Sequence, residues 1–90
     1  MNDLKQILKE RSNIYGDLGK GMHLSASIME MILTRYREEH KNEMPKVFEL
    51  FIYHIVIKIV RLAVSPTHVD SWDDIAGYSI KISEVLNANK

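Results

Sequence analysis

Apolar and polar positions recur with a helical period along most of the chain. The clearest stretch is VFELFIYHIVIKIVRLAV, residues 47–64, where only Glu49, His54, Lys58 and Arg61 are not apolar. Alternation fails there, so a half-buried strand does not fit. At about 100° per residue, His54, Lys58, Arg61 and the following Ser65 fall within an arc of roughly 60°. The stretch reads as a helix that is apolar nearly all round, with one narrow polar seam. Its β-branched residues favour strand weakly, and its length outweighs them. A helix of this kind needs cover on most sides. Lipid does not suit it, because a span needs about 20 mostly uncharged residues and polar residues interrupt this run. The cover is therefore protein, and no membrane partner is expected. A short chain cannot wrap a central helix completely, so we expect other subunits to finish the job in a homo-oligomer.

The flanking segments carry the same period. Asp3 is placed to cap a first helix over about residues 4–13, with Leu4, Ile7, Leu8, Arg11 and Ile14 at helical spacing. Gly16, Gly19 and Gly21 then crowd a short stretch, and glycine is a poor helix-interior residue. A break is expected there. From about residue 22 to 40, Leu24, Ile28, Met31, Ile32 and Arg35 share a face flanked by Met29, Leu33 and Tyr36. Ser25, Ala26 and Ser27 make the first turns narrow enough for close approach of another backbone. Pro45 suits the start of the central helix and Pro66 its end. Asp70 is placed to cap a last helix, with Asp73 three residues on, as in a capping box. Trp72, Ile75, Ala76, Ser79, Ile82, Ser83 and Leu86 share a face of that helix. Gly77 costs it about 1 kcal/mol relative to Ala, and a close contact is expected to offset the cost. The prediction is an all-α fold in one domain, residues 1–90: a short N-terminal helix plus three longer helices.

Composition narrows the function classes. The chain has 90 residues, with twelve basic and twelve acidic side chains. Zero net charge does not suggest a general nucleic-acid binder, so no DNA partner is expected. No cysteine is present, which suits a reducing compartment. The first residues contain acidic side chains and lack the apolar core of a secretory signal. A cytoplasmic location is the expectation. No internal repeat is visible.

Three places carry candidate chemistry. Tyr15 precedes GDLGKG, where backbone N–H groups around Gly19 together with Lys20 can make an anion site and the tyrosine can stack on a base. The stretch is not a P-loop, since two residues rather than four separate Gly16 and Gly19, and Gly21 follows the lysine. The same residues equally describe a helix–helix turn. The seam of His54, Lys58, Arg61 and Ser65, extended by Thr67, either forms ion pairs with Asp73, Asp74 or Glu30 or binds a phosphate, for which a guanidinium is well shaped. His68, Asp70, Asp73 and Asp74 have the donor types for a metal, but helix capping accounts for Asp70 and Asp73. Glu38-Glu39 followed by Glu43 comes close to the Glu-Glu-x-x-Glu helix of all-α nucleotide pyrophosphohydrolases, with the third glutamate one residue late. No cysteine nucleophile and no characteristic nucleophile motif is present.

Glu10-Arg11-x-x-x-Tyr15-Gly16-Asp17, Lys58-x-x-Arg61-Leu62 and Ser65-Pro66-Thr67-His68-Val69-Asp70-Ser71-Trp72-Asp73-Asp74-Ile75-Ala76-Gly77-Tyr78 together resemble a group of small all-helical phage proteins. One branch of that group is the phage anti-CBASS sponge family. CBASS is a bacterial defence that signals infection with cyclic oligonucleotides. The resemblance covers the opening of the chain and most of its C-terminal half, and residues 22–49 carry none of it. It implies a non-enzymatic helical oligomer, a hexamer, that binds cyclic dinucleotides and cyclic trinucleotides without cleaving them. No cofactor is implied. It further implies that Tyr15 stacks on a base, with Gly19 and Lys20 at the phosphate. Arg61, Ser65 and Thr67 would line a second phosphate site. The alternatives are a pyrophosphohydrolase-like enzyme and a phage accessory protein that docks a host protein.

Overall fold

A computed structural model describes residues 2–88. Four α-helices follow in order: α1 (Asn2–Tyr15), α2 (Leu18–His40), α3 (Lys46–Leu62) and α4 (Val69–Ala88). No strand occurs among the described residues. The apolar stretch becomes α3, and α3 is the hub. It packs against each of the other three helices, while those three scarcely touch one another. The result is elongated, 49 × 26 × 26 Å.

The junctions follow from local chemistry. Gly16 has φ +81°, a left-handed conformation that costs other residues about 1–2 kcal/mol. A Cβ built on Gly16 would lie 2.7 Å from Val64 Cγ2, so both backbone and space favour glycine. Asp17 then caps α2, its Oδ1 accepting from the Lys20 N–H at 2.9 Å. The break is therefore only two residues long, Gly16 and Asp17. Gly19 and Gly21 lie inside the first turn of α2, which begins four residues earlier than the glycine spacing predicts. Gly21 faces α3, where an added Cβ would reach Val60 Cγ1 at 3.9 Å. Ser25 continues that narrow contact, buried, with its hydroxyl donating to Gly21 O at 2.8 Å.

α2 ends where Lys41 turns left-handed and its N–H donates to Arg37 O at 2.9 Å. Pro45 opens α3, and its carbonyl accepts from the Phe48 and Glu49 N–H groups, each at 3.1 Å. After Leu62 the chain turns through Pro66, and the His68 N–H donates to Ser65 O at 3.1 Å. That turn starts α4 at Val69, so Asp70 lies within the first turn and not at the cap. Asp3 likewise sits inside α1, which begins at Asn2. Both aspartates still face the positive end of their helix.

Two helix faces are rotated from the expectation. On α2, Ser25 and Met29 are buried and Ile28, Ile32 and Tyr36 half-buried, whereas Leu24 and Met31 stand 48% and 66% exposed. On α4 the inward residues are Ser71, Ile75, Tyr78 and Ile82, while Trp72 is 55% exposed. Gly77 has nothing within 4 Å of a built Cβ, so no close contact among the described residues offsets its cost. Met29, Met44, Val56 and Leu62 are the buried hydrophobic residues. No helix among the described residues is long and apolar enough to cross a membrane.

Candidate functional site

The polar seam of α3 faces its neighbours. His54 meets the Tyr78 ring of α4 at 5.3 Å between centroids, and its Nδ1–H donates to Leu50 O at 2.8 Å. Lys58 Nζ pairs with Asp74 at 2.9 Å, one of the ion pairs the sequence allows. Its side chain is only 18% exposed, so the carboxylate offsets a real desolvation cost. Ser65, beyond the helix end, donates its hydroxyl to Ile14 O at the close of α1. This bond ties the two helix ends together.

Arg61 points at α1. Its guanidinium carbon lies 4.4 Å from the centroid of the Tyr15 ring. A cation over an aromatic face is worth about 0.5–1 kcal/mol at an exposed site and more when desolvated. The Tyr15 and His68 rings meet in a T-shaped arrangement, 5.4 Å between centroids. His68 Nδ1 pairs in turn with the hydroxyl of buried Ser71 at 2.9 Å, and Trp72 Nε1 donates to Pro66 O at 2.8 Å. Tyr15 is thus held between an arginine from α3 and a histidine braced by α4.

A cleft of about 360 Å³ opens beside this cluster. Its walls come from one face of α1, the Gly16-Asp17 turn with the start of α2, and the facing side of α3. Tyr15, Arg61 and Arg11 bring aromatic and cationic groups, and Leu8, Met22, Ile57 and Val60 bring apolar surface. Leu18 and Gly19, in the first turn of α2, also line it; their N–H groups lack intrahelical partners, whereas those of Lys20 and Gly21 donate to Asp17. A Cβ on Gly19 would lie 3.3 Å from Asp17 Oδ1, so glycine keeps the backbone clear beside the cap. The volume falls in the range of small-molecule sites, about 300–1,000 Å³.

Of the residues singled out from sequence, Tyr15, Gly19 and Arg61 share this cleft. Ser65 does not line it, and its hydroxyl donates to Ile14 O. Lys20 and Thr67 are exposed and do not line the cleft. The two phosphate-friendly places expected separately, at Tyr15 and at Arg61, touch one another. Arg11 and Ser12 carry no site role in the sequence reading, and His68 has one only among the donor types for a metal. For Arg11 a signal existed, since it lies four residues before Tyr15 and so on the same helix face. For His68, no local spacing leads to Tyr15.

Apart from Asp17, the acidic groups do not line the cleft. Glu39 pairs with Arg35 at 2.9 Å, and Glu30 and Glu43 pair with Arg37 at 3.0 and 3.5 Å. The hydrogen bond that Arg37 donates to Glu30, with Glu43 adding to it, raises the Arg37 pKa above its ordinary value. Among the described residues, no three His, Asp or Glu side chains are grouped so as to hold a metal ion.

The fold and the cleft together define a small all-α chain with an aromatic and cationic cleft beside its longest apolar helix. The chain belongs to the family described as Domain of unknown function (DUF6378), matched over residues 2–86. No curated protein and no solved structure matches it.

Proposed function

We propose that the protein binds and sequesters cyclic di- and trinucleotide second messengers without cleaving them. This would block host anti-phage CBASS signalling, in line with the resemblance to the phage sponge family. The observation that carries the reading is the Tyr15 ring with the Arg61 guanidinium on its face, set in a cleft lined by Arg11 and by backbone at the start of α2. An aromatic face suits a base, and guanidinium and backbone N–H groups suit a phosphate. Base stacking contributes about 1–3 kcal/mol and charged hydrogen bonds about 1.5–3 kcal/mol each. A few such terms exceed the roughly 8 kcal/mol that corresponds to micromolar binding. Lys20, at the edge of the first turn of α2, meets a phosphate of the dinucleotide. Arg61, besides meeting the dinucleotide in the cleft, also serves the trinucleotide together with Ser65 and Thr67, which lie outside the cleft lining.

The same reading has the chain act as a homo-oligomer, a hexamer, in the cytoplasm of the infected host cell. Its support is the exposed apolar surface. Leu18, Met31, Leu50, Trp72 and Ile80 are each more than half exposed, more apolar surface than single scattered residues would leave. Leu18 also lines the cleft, so a subunit packed on it would help to enclose the site. Tyr15→Ala tests the reading: dinucleotide binding is lost by titration while the assembly seen in light scattering is kept. Unchanged affinity contradicts the assignment.

A further inference from the structure

Among the four arginines of the chain, charge satisfaction divides sharply. Arg35 and Arg37 are paired with carboxylates. Arg11 and Arg61 have no carboxylate partner among the described residues, and both line the cleft. Glu10, the sequence neighbour of Arg11, instead accepts from Gln6 Nε2 at 3.1 Å. The one carboxylate in the cleft wall, Asp17, is committed to the α2 cap through the Lys20 N–H. The two arginines come from different helices, so their convergence is a product of the fold. We infer that Arg11 and Arg61 form a two-guanidinium clamp that takes two phosphate groups of one ligand, with Arg11 selecting ligands that carry two phosphates over those that carry one. The inference rests on the nucleotide reading of the same cleft and adds the feature by which ligands are told apart.

The physical basis is direct. A guanidinium presents a planar fork of donors that matches phosphate oxygens. Arg61 is oriented by the Tyr15 ring, so a base stacked on that tyrosine brings the adjoining phosphate to Arg61. Arg11 lies one helical turn before Tyr15 on the same face and serves the second phosphate. A ligand with a single phosphate leaves Arg11 unused.

The experiment titrates the full-length protein and Arg11→Gln with cyclic di-AMP, cyclic AMP and inorganic pyrophosphate. The two nucleotides share a base and differ in phosphate number. The unsubstituted protein prefers cyclic di-AMP. Arg11→Gln lowers that affinity about tenfold or more while cyclic AMP changes less than about twofold. Arg11→Lys, which keeps the charge but not the fork, recovers part of the loss. Arg11 is exposed, and circular dichroism checks that the helix content is kept. Unchanged cyclic di-AMP binding by Arg11→Gln, or an equal loss for both nucleotides, overturns the clamp and leaves the nucleotide reading standing. Pyrophosphate binding that depends on Arg11, without binding of either nucleotide, upholds the clamp and ends the nucleotide reading. Binding of none of the three overturns both.

Discussion

The two ends of α2 carry the same residue types in opposite electrostatic states. At the far end, Tyr36 stacks on His40 at 4.2 Å, and Arg35 and Arg37 are engaged by Glu39, Glu30 and Glu43. At the near end, the Tyr15 and His68 rings form a T-shaped pair and Arg61 lies over the Tyr15 face, with Arg11 lining the same cleft and no carboxylate engaging either guanidinium among the described residues. The far end is a satisfied surface network of the kind that contributes little. The near end is concave, half-buried at Tyr15 and Arg61, and holds cations whose counter-charge the described residues do not supply. Arginine and tyrosine alone do not distinguish these regions. What differs is where the carboxylates are.

The largest effect is expected at the turn that builds the cleft. Gly16→Ala forces a side chain into a left-handed conformation and against Val64. Urea unfolding should show a loss of roughly 2–3 kcal/mol. A loss under about 0.5 kcal/mol would mean that the turn relaxes and the cleft geometry is not dictated there. Next comes Lys58. Asp74→Ala leaves a mostly covered ammonium without its partner and should cost about 1 kcal/mol. Adding Lys58→Met should recover most of that, and the same unfolding series reads both. A smaller effect tests the contact of Tyr15 with Arg61. A double-mutant cycle with Tyr15→Leu and Arg61→Gln should show a coupling of about 0.5–1 kcal/mol in stability. Additive losses would mean that the cation contributes nothing through the ring.

The smallest effect is expected at the satisfied end. Arg37→Gln should leave cyclic-nucleotide affinity unchanged within about twofold, because Arg37 lies outside the cleft. Its pH behaviour follows from the sign of its shift. Glu30 and Glu43 raise the folded-state pKa, so the stabilisation is fully present below the unfolded value and is lost only as pH rises through the folded one. Both values lie far above neutral. Removing Arg37 should therefore not change the slope of stability against pH between about pH 6 and 9. A change of slope there would place the titration on another group.

The all-α architecture was legible because α3 announces itself: its apolar run is too long for a strand and has a defined polar seam. Four helices in the right order followed from Pro45, Pro66 and the glycine stretch. The helix faces were harder. α2 and α4 carry apolar residues on more than one side, so periodicity could not say which side meets α3. Glycine content reads as helix-breaking, so sequence alone starts α2 later than Leu18. One left-handed glycine and one aspartate cap define the junction, and Gly19 and Gly21 are tolerated in the first turn. In the site, Tyr15, Gly19 and Arg61 were identified singly. That Tyr15 and Arg61 touch was not legible, because the contact joins helices far apart in the chain. Which arginines lack carboxylate partners depends on the same tertiary pairing.

Sequestration without cleavage turns most directly on what the cleft does to a cyclic oligonucleotide. Calorimetric titration of the purified protein with cyclic di- and trinucleotides, followed by denaturation and chromatography of the released ligand, measures binding and fate together. The account predicts submicromolar binding and recovery of intact ligand. Recovery of cleaved ligand, or no binding of any cyclic oligonucleotide, would contradict it.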